Sequence, residues 1–104
     1  MLAELEIIPL GRAGASVSPL LAHVARLIDA SGLDYRLGPM GTTVEGSWDQ
    51  VIALAKRCHD AMLQEADRVI TTIKIDDRTD KPGLGRITQK VASLEAQVGK
   101  SLKQ

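Results

Sequence analysis

The sequence predicts an α+β domain in which two helices cover one face of a four-stranded antiparallel sheet and a third helix follows. Three observations predict it. Four segments alternate apolar and polar residues with the period of a strand, and three others repeat apolar residues at helical spacing. These segments follow one another in the order β-α-β-β-α-β-α. The 104 residues suffice for one domain, which we place at 1–104.

The predicted strands are residues 3–9, 33–37, 42–46 and 68–76. In each of them one set of alternating residues is suited to a core, such as Leu33, Tyr35 and Leu37 in the second strand. The other set points to the opposite face of the sheet. That second set consists of Glu4, Glu6, Ile8, Asp34, Arg36, Thr43, Glu45, Ile70, Thr72 and Lys74.

Capping signals place the helices. Ser18-Pro19 reads as an N-cap followed by proline at the first helical position, so a helix is expected at about 19–31, with Gly32 as its stop. Ser47 and Gln50 form a capping box for a second helix. Its apolar stripe consists of Val51, Leu54, Ala55, Cys58, Ala61 and Met62. A narrower stripe predicts a third helix: Leu84, Ile87, Val91, Leu94, Val98 and Leu102.

The order of elements is that of a ferredoxin-like βαββαβ sandwich with an added C-terminal helix. Gly38-Pro39-Met40-Gly41 is a turn, so strands 2 and 3 should form a hairpin. Right-handed crossovers then place both helices on one face of the sheet, with the spatial strand order 4-1-3-2. The second face of the sheet is left open by these two helices.

The polar residues of this second face allow two interpretations. Glu6 and Glu45 lie on neighbouring central strands and could come close together, with Arg36 and Lys74 as available cations. They could form solvated cross-strand ion pairs, or the polar floor of a ligand site. Ile8 and Ile70 are large aliphatic residues on the same face, which suggests that another subunit or the third helix covers part of it.

Composition excludes several classes of function. Thirteen basic and thirteen acidic residues give no net charge, so nothing points to nucleic acid or to an anionic membrane. The only aromatic residues are Tyr35 and Trp48, too few for a base-stacking platform. A lone cysteine, an acidic N-terminal segment and the lack of a long apolar run lead us to expect a soluble cytoplasmic protein.

Three segments together resemble a known family. They are AELEIIPLG at 3–11, LGPMGTTVEG at 37–46 and VITTIKIDDR at 69–78, in this order and spacing. Along essentially its whole length the chain is similar to the small thiamine-binding proteins, the YkoF-like family long described as uncharacterised. The resemblance implies a ferredoxin-like domain that pairs through its sheets into homodimers and often homotetramers. It also implies non-covalent binding of thiamine or its hydroxymethylpyrimidine part, with no required cofactor and no catalysis.

The resemblance places the ligand near Gly41, Thr42, Thr43 and Glu45. We add Glu6 and Lys74 from their predicted position on the same face. A carboxylate and hydroxyls can pair with an aminopyrimidine, and Met40, Ile8 or Ile70 would supply an apolar wall. The alternative is a regulatory module whose oligomer contacts a protein partner. An enzyme is the weakest interpretation, because no nucleophile–base pair or metal cluster can be read from the sequence.

Three further groups contain residue types found in functional sites. Cys58 and His59 are adjacent on a helix and so do not face each other, and neither His59 nor His23 has companions at metal-ligand spacing. The acids of residues 76–80 lack the EF-hand pattern and are expected in a solvated loop. Residues 81–86 (KPGLGR) begin the third helix, whose free N–H groups could bind a phosphate or sulfate.

Overall fold

The computed structural model describes residues 1–11, 18–80, 83 and 85–104. Within them the elements follow the predicted order, and the four strands and the first helix end within one residue of the predicted limits. The strands are β1 (Leu2–Leu10), β2 (Asp34–Leu37), β3 (Thr42–Glu45) and β4 (Arg68–Asp76). The helices are α1 (Ser18–Ala30), α2 (Trp48–Leu63) and α3 (Arg86–Val98). Leu84, the predicted first apolar residue of α3, lies outside the described residues.

The sheet has the order β2-β3-β1-β4, with every neighbouring pair antiparallel. This is the predicted order counted from the other edge, so the ferredoxin-like α+β fold is confirmed. The hairpin between β2 and β3 closes with a hydrogen bond from the Gly38 amide to the Gly41 carbonyl oxygen, 2.9 Å long. Gly32, the second residue after α1, has φ of +79°, as expected for a glycine that stops a helix.

The helices α1 and α2 pack on one face of the sheet and enclose the core. Val44, Val51 and Leu54 are fully buried there, and burial of such side chains is worth about 1.5–3 kcal/mol each. The predicted capping box starts α2: the Gln50 amide donates to Ser47 Oγ at 3.2 Å, and the Ser47 amide donates to Gln50 Oε1 at 3.0 Å. The start of α2 and the residues that it buries therefore follow from local sequence patterns.

The prediction that Tyr35 and Leu37 enter the core is wrong. Tyr35 is on the helix side of the sheet, since it pairs with the buried Val44. However, β2 is an edge strand, and 40% of Tyr35 and 65% of Leu37 are exposed. The Tyr35 hydroxyl instead donates a 2.7 Å hydrogen bond to Asp29 of α1. Alternation gave the correct side of the sheet but not the extent of the helical cover.

The strands differ in length, and this shapes the sheet. β1 and β4 pair over nine residues, from Leu2 opposite Asp76 to Leu10 opposite Arg68. β3 has only four residues, and its pairing with β1 ends at Leu5 opposite Thr42. From Glu6 to Leu10, β1 therefore has β4 on one side and no described strand on the other. The β1–β4 ladder projects beyond the rest of the sheet as a two-stranded ribbon.

No helix among the described residues combines the length and apolar character needed to cross a membrane.

Candidate functional site

The face of the sheet opposite α1 and α2, here called the second face, has two distinct halves. α3 lies across the half built from β2, β3 and the start of β1, and we call this the covered half. The ribbon forms the bare half, which carries Glu6, Ile8, Ile70 and Thr72. Ile8 and Ile70 lie directly opposite each other, and about two-fifths of each remains exposed.

Glu45 fixes the start of α3 on the covered half. Its side chain accepts hydrogen bonds of 3.1 Å from the amides of Gly85 and Arg86. Only 2% of Glu45 is exposed. The N-terminus of a helix has unpaired N–H groups and a partial positive charge, so a carboxylate is well placed there. Glu45 therefore acts as a cap supplied from about forty residues away in the sequence.

Asp76 provides a second attachment for α3. The Arg86 guanidinium donates to the carbonyl oxygen of Asp76 at 3.0 Å and to its carboxylate at 2.9 Å. Lys90 Nζ lies 2.7 Å from the same carboxylate. Hydrogen bonds from Lys90 and then Arg86 lower the pKa of Asp76, although partial desolvation opposes them. No residue of α3 is fully buried, so these polar contacts are a large part of its attachment.

The expectation that Glu6 and Glu45 approach each other is wrong. Glu45 lies opposite Leu2 in the β1–β3 ladder, four residues before Glu6. At about 3.3 Å per strand residue, this places the two backbones ~13 Å apart. Glu45 does not belong to an open polar face either, since α3 buries it. The cations are used elsewhere too: Lys74 lies 3.9 Å from Glu4, and Arg36 donates a hydrogen bond to Gln104.

A cleft lies at the point where β3 ends and β1 continues. It has a volume of about 320 Å³, within the range of small-molecule sites. β1, α1 and the β2–β3 turn form its walls. The aliphatic part comes from Leu5, Ile7, Leu21, Val24, Ile28 and Leu37. The turn contributes Pro39, Met40 and Gly41, and β3 contributes Thr42.

Glu6 is the one charged residue among the described residues that line this cleft. It is half-buried, and no described residue forms an ion pair or a hydrogen bond with its carboxylate. The other two glutamates on the second face both have partners: Glu4 pairs with Lys74, and Glu45 caps α3. A half-buried carboxylate without a partner is available for a ligand that donates hydrogen bonds or carries positive charge.

The unpaired edge of β1 adds main-chain groups to the cleft. Beyond Leu5 this edge has no described strand partner, so alternate N–H and C=O groups on it are outside any ladder. Gly41 lies directly beside it. A Cβ atom added at Gly41 would be 3.1 Å from the Leu5 carbonyl oxygen, closer than most real contacts. Glycine therefore permits the turn to run close against β1 at the edge of the cleft.

The structure separates the six residues predicted to bind the ligand. Glu6, Gly41 and Thr42 come together at the cleft. Thr43 faces α3 on the covered half, Glu45 caps α3, and Lys74 pairs with Glu4. The α1 residues Leu21 and Val24 were not predicted. The unequal strand lengths were the one sequence signal for this cleft, because a nine-residue β1 beside a four-residue β3 leaves a step in the sheet.

The other sequence candidates have structural roles. Cys58 is fully buried, and burial raises the pKa of its thiol, which disfavours the nucleophilic thiolate. His59 Nδ1 lies 2.6 Å from Thr71 Oγ1, a contact between α2 and β4. Among the described residues no three His, Cys, Asp or Glu side chains group as metal ligands. Arg78 pairs with Asp80 in the acidic loop.

The suggested anion site at the start of α3 already holds an anion from the protein itself. Lys81, Pro82 and Leu84 lie outside the described residues. The amides of Gly85 and Arg86, however, donate to Glu45. At these two residues the carboxylate of β3 has the position that a phosphate or sulfate was expected to take.

Comparisons with known proteins identify the family. A family model described as thiamine-binding protein matches residues 3–95. The UPF0045 protein MJ1052 of Methanocaldococcus jannaschii is 38% identical over 81 residues, which cover 78% of this chain and 80% of that protein. The UPF0045 protein YqgV of Bacillus subtilis is 39% identical over 85 residues, 77% of this chain and 82% of its own length.

Solved structures agree with the fold. The crystal structure of MJ1052 superposes with a TM-score of 0.80 at 35% identity and covers 89% of this chain and 93% of that one. A Thermotoga maritima protein described as a proposed thiamine biosynthesis or salvage protein superposes with a TM-score of 0.75 at 22% identity. That match covers 89% of this chain and 96% of the other, and it supports the fold alone. With a family model that spans most of its length and relatives of this similarity, the chain belongs to the thiamine-binding protein family.

Proposed function

We propose that the protein binds thiamine, or its pyrimidine moiety, in the cleft beside Glu6, without catalysing a reaction. One observation carries the proposal: Glu6, whose carboxylate has no described partner, is among the residues that line an apolar cleft of ligand size. Membership of a thiamine-binding family supports the choice of ligand. We place the site where β3 ends and the ribbon begins, between β1, α1 and the β2–β3 turn, and not around Thr43, Glu45 and Lys74.

The polar groups of the cleft suit an aminopyrimidine. Its exocyclic amine can donate to the Glu6 carboxylate, and its ring nitrogens can accept hydrogen bonds. The Thr42 hydroxyl and the unpaired main-chain groups of β1 beyond Leu5 can supply donors to those nitrogens. A strand edge offers donors and acceptors at regular spacing, which a planar heterocycle with alternating groups can match.

The walls and the charge of the cleft suit the remainder of the ligand. No aromatic residue is among the described lining, so the ring would lie between aliphatic side chains and the thioether of Met40. Sulfur–aromatic contacts contribute about 0.3–1.5 kcal/mol. A thiazolium carries a fixed positive charge, which Glu6 would stabilise. For the same reason the cleft should favour unphosphorylated thiamine over its diphosphate.

Calorimetric titration of the full chain with thiamine, hydroxymethylpyrimidine and thiamine diphosphate tests the proposal. Glu6→Gln removes the charge and keeps the shape, so it should weaken thiamine binding about tenfold or more, as loss of a charged hydrogen bond does. Glu4→Gln is the matched control, since Glu4 lies two residues away on the same face and already pairs with Lys74. It should bind thiamine as the wild type does.

Two results would contradict the proposed site. Wild-type protein that takes up no thiamine or hydroxymethylpyrimidine at millimolar concentration would exclude this ligand class. Equal thiamine affinities for Glu6→Gln and wild type would move the ligand away from Glu6.

We further propose that a second copy of the chain covers the bare half and completes the cleft. Ile8 and Ile70 lie opposite each other across the ribbon with about two-fifths of each exposed, and 81% of Met40 is exposed at the edge of the cleft. Apolar side chains grouped in this way are typical of a subunit interface. A partner on the ribbon would exclude water from the Glu6 side of the cleft and strengthen its hydrogen bonds.

Light scattering coupled to size-exclusion chromatography tests the homo-oligomer. Ile70→Lys should convert it to a smaller species, because a charge would then be buried at the interface. The control is Leu63→Lys on α2, a residue of similar exposure that lies on the other side of the sheet. A wild-type protein that is monomeric at high concentration, or an Ile70→Lys variant of unchanged mass, would contradict the interface.

A further inference from the structure

A second cavity lies under α3, away from the cleft. It has a volume of about 280 Å³ and opens between α3 and the β2–β3 part of the sheet; we call it the α3 cavity. It shares no described residue with the lining of the cleft. Four aliphatic side chains form its interior: Leu2, Ile87, Val91 and Leu94.

Three polar residues border this apolar interior: Thr43, Arg36 and Lys90. The charge of Lys90 is compensated, because its Nζ lies 2.7 Å from the Asp76 carboxylate. The charge of Arg36 is not. Its guanidinium donates to the neutral side-chain amide of Gln104, and no carboxylate of the described residues lies within ion-pair distance. Arg36 therefore has no counter-ion among the described residues, and it lies at the edge of an apolar cavity next to the Thr43 hydroxyl.

We propose that the α3 cavity binds a small carboxylate with an apolar body. The guanidinium of Arg36 would hold the carboxylate in a two-pronged hydrogen bond, and Thr43 could donate a further one. The apolar body would lie against Val91 and Leu94, of which Leu94 is 59% exposed. The ligand carboxylate would displace the Gln104 side chain from Arg36. This site is separate from the thiamine cleft and would be present even if the cleft bound nothing.

The chemistry of the α3 cavity selects against other ligands. A cationic molecule such as thiamine would meet the charge of Arg36 and be repelled. A strongly hydrated anion such as phosphate would gain nothing from the four aliphatic side chains. An uncharged apolar molecule could fill the cavity but would supply no negative charge for Arg36.

The proposal is tested by titrating the full chain with octanoate and following the backbone amides by NMR. Octanoate should cause saturable shifts at Thr43, Val91 and Leu94, while 1-octanol should bind at least tenfold more weakly. Arg36→Gln should weaken octanoate binding about tenfold. Arg26→Gln on the exposed side of α1 removes a charge elsewhere and should leave octanoate binding unchanged.

Three outcomes would overturn the proposal. They are the absence of saturable shifts with octanoate, equal binding of octanoate and octanol, and equal octanoate affinities for Arg36→Gln and wild type. The last two would reduce the cavity to a site of unspecific apolar contact. Arg36 is exposed on an edge strand, so its replacement by Gln should not prevent folding.

Discussion

The two halves of the second face use the same residue type for opposite purposes. On the covered half Glu45 is 2% exposed and both of its oxygens accept hydrogen bonds from the start of α3. On the bare half Glu6 has no described partner. A carboxylate whose hydrogen bonds are already made stabilises the fold and has little left to offer a ligand. An uncommitted carboxylate contributes little to the fold and is free to bind.

Replacing Glu45 by Ala should give the largest effect on stability. The amides of Gly85 and Arg86 would lose their acceptor, at a cost of about 1–3 kcal/mol in the free energy of unfolding. Besides the lower stability of the whole protein, α3 itself should detach more often, because it has no fully buried residue to hold it in place. Urea unfolding and amide hydrogen exchange measure the two effects. Unchanged exchange in residues 86–98 would show that α3 is held by other contacts.

Acid should weaken the attachment of α3 in a second, smaller step. The pKa of Asp76 lies below its ordinary value of 3.8 in the folded protein, so the ionised form stabilises the native state. This contribution is complete above the ordinary pKa and is lost as pH falls through the lower, folded one. Amide exchange in α3 corrected for intrinsic rates should therefore speed up below about pH 4. In Asp76→Asn this pH dependence should be reduced, and an unaltered pH profile would show that Asp76 does not hold α3.

Replacing Glu6 by Ala should give the smallest effect on stability. The residue is half-buried and its carboxylate has no described partner, so the free energy of unfolding should change by about 0.5 kcal/mol at most. Protection of the α3 amides should equal that of the wild type. Glu6→Ala and Glu45→Ala thus form a matched pair on one face, compared by the same urea and exchange measurements. A large loss of stability for Glu6→Ala would mean that Glu6 has a structural role.

The sequence predicted whatever depends on local pattern. The capping box at Ser47 and Gln50, the strand order and the side of the sheet on which Thr43 and Glu45 lie all follow from spacing and handedness. Register could not be predicted, because a slip by two or four residues keeps every side chain on the same face of the sheet. Glu6 and Glu45 were therefore brought together wrongly.

The remaining features depend on contacts that are distant in the sequence. The link from Glu45 to Gly85 joins residues forty positions apart, and nothing near either one indicates the other. The cleft arises from the unequal lengths of β1 and β3, and its far wall comes from Leu21 and Val24 of α1. The sequence identified Glu6 as a carboxylate on this face. That no described residue pairs with it depends on the fold and could be learned only from the structure.

An NMR titration of the wild-type chain with thiamine compares the two halves most directly. Binding in the cleft predicts saturable amide shifts concentrated at Glu6, Ile7, Gly41 and Thr42 and on the facing side of α1, with α3 unaffected. Shifts centred on Thr43, Glu45 and the first turn of α3, with none at Glu6, would contradict it.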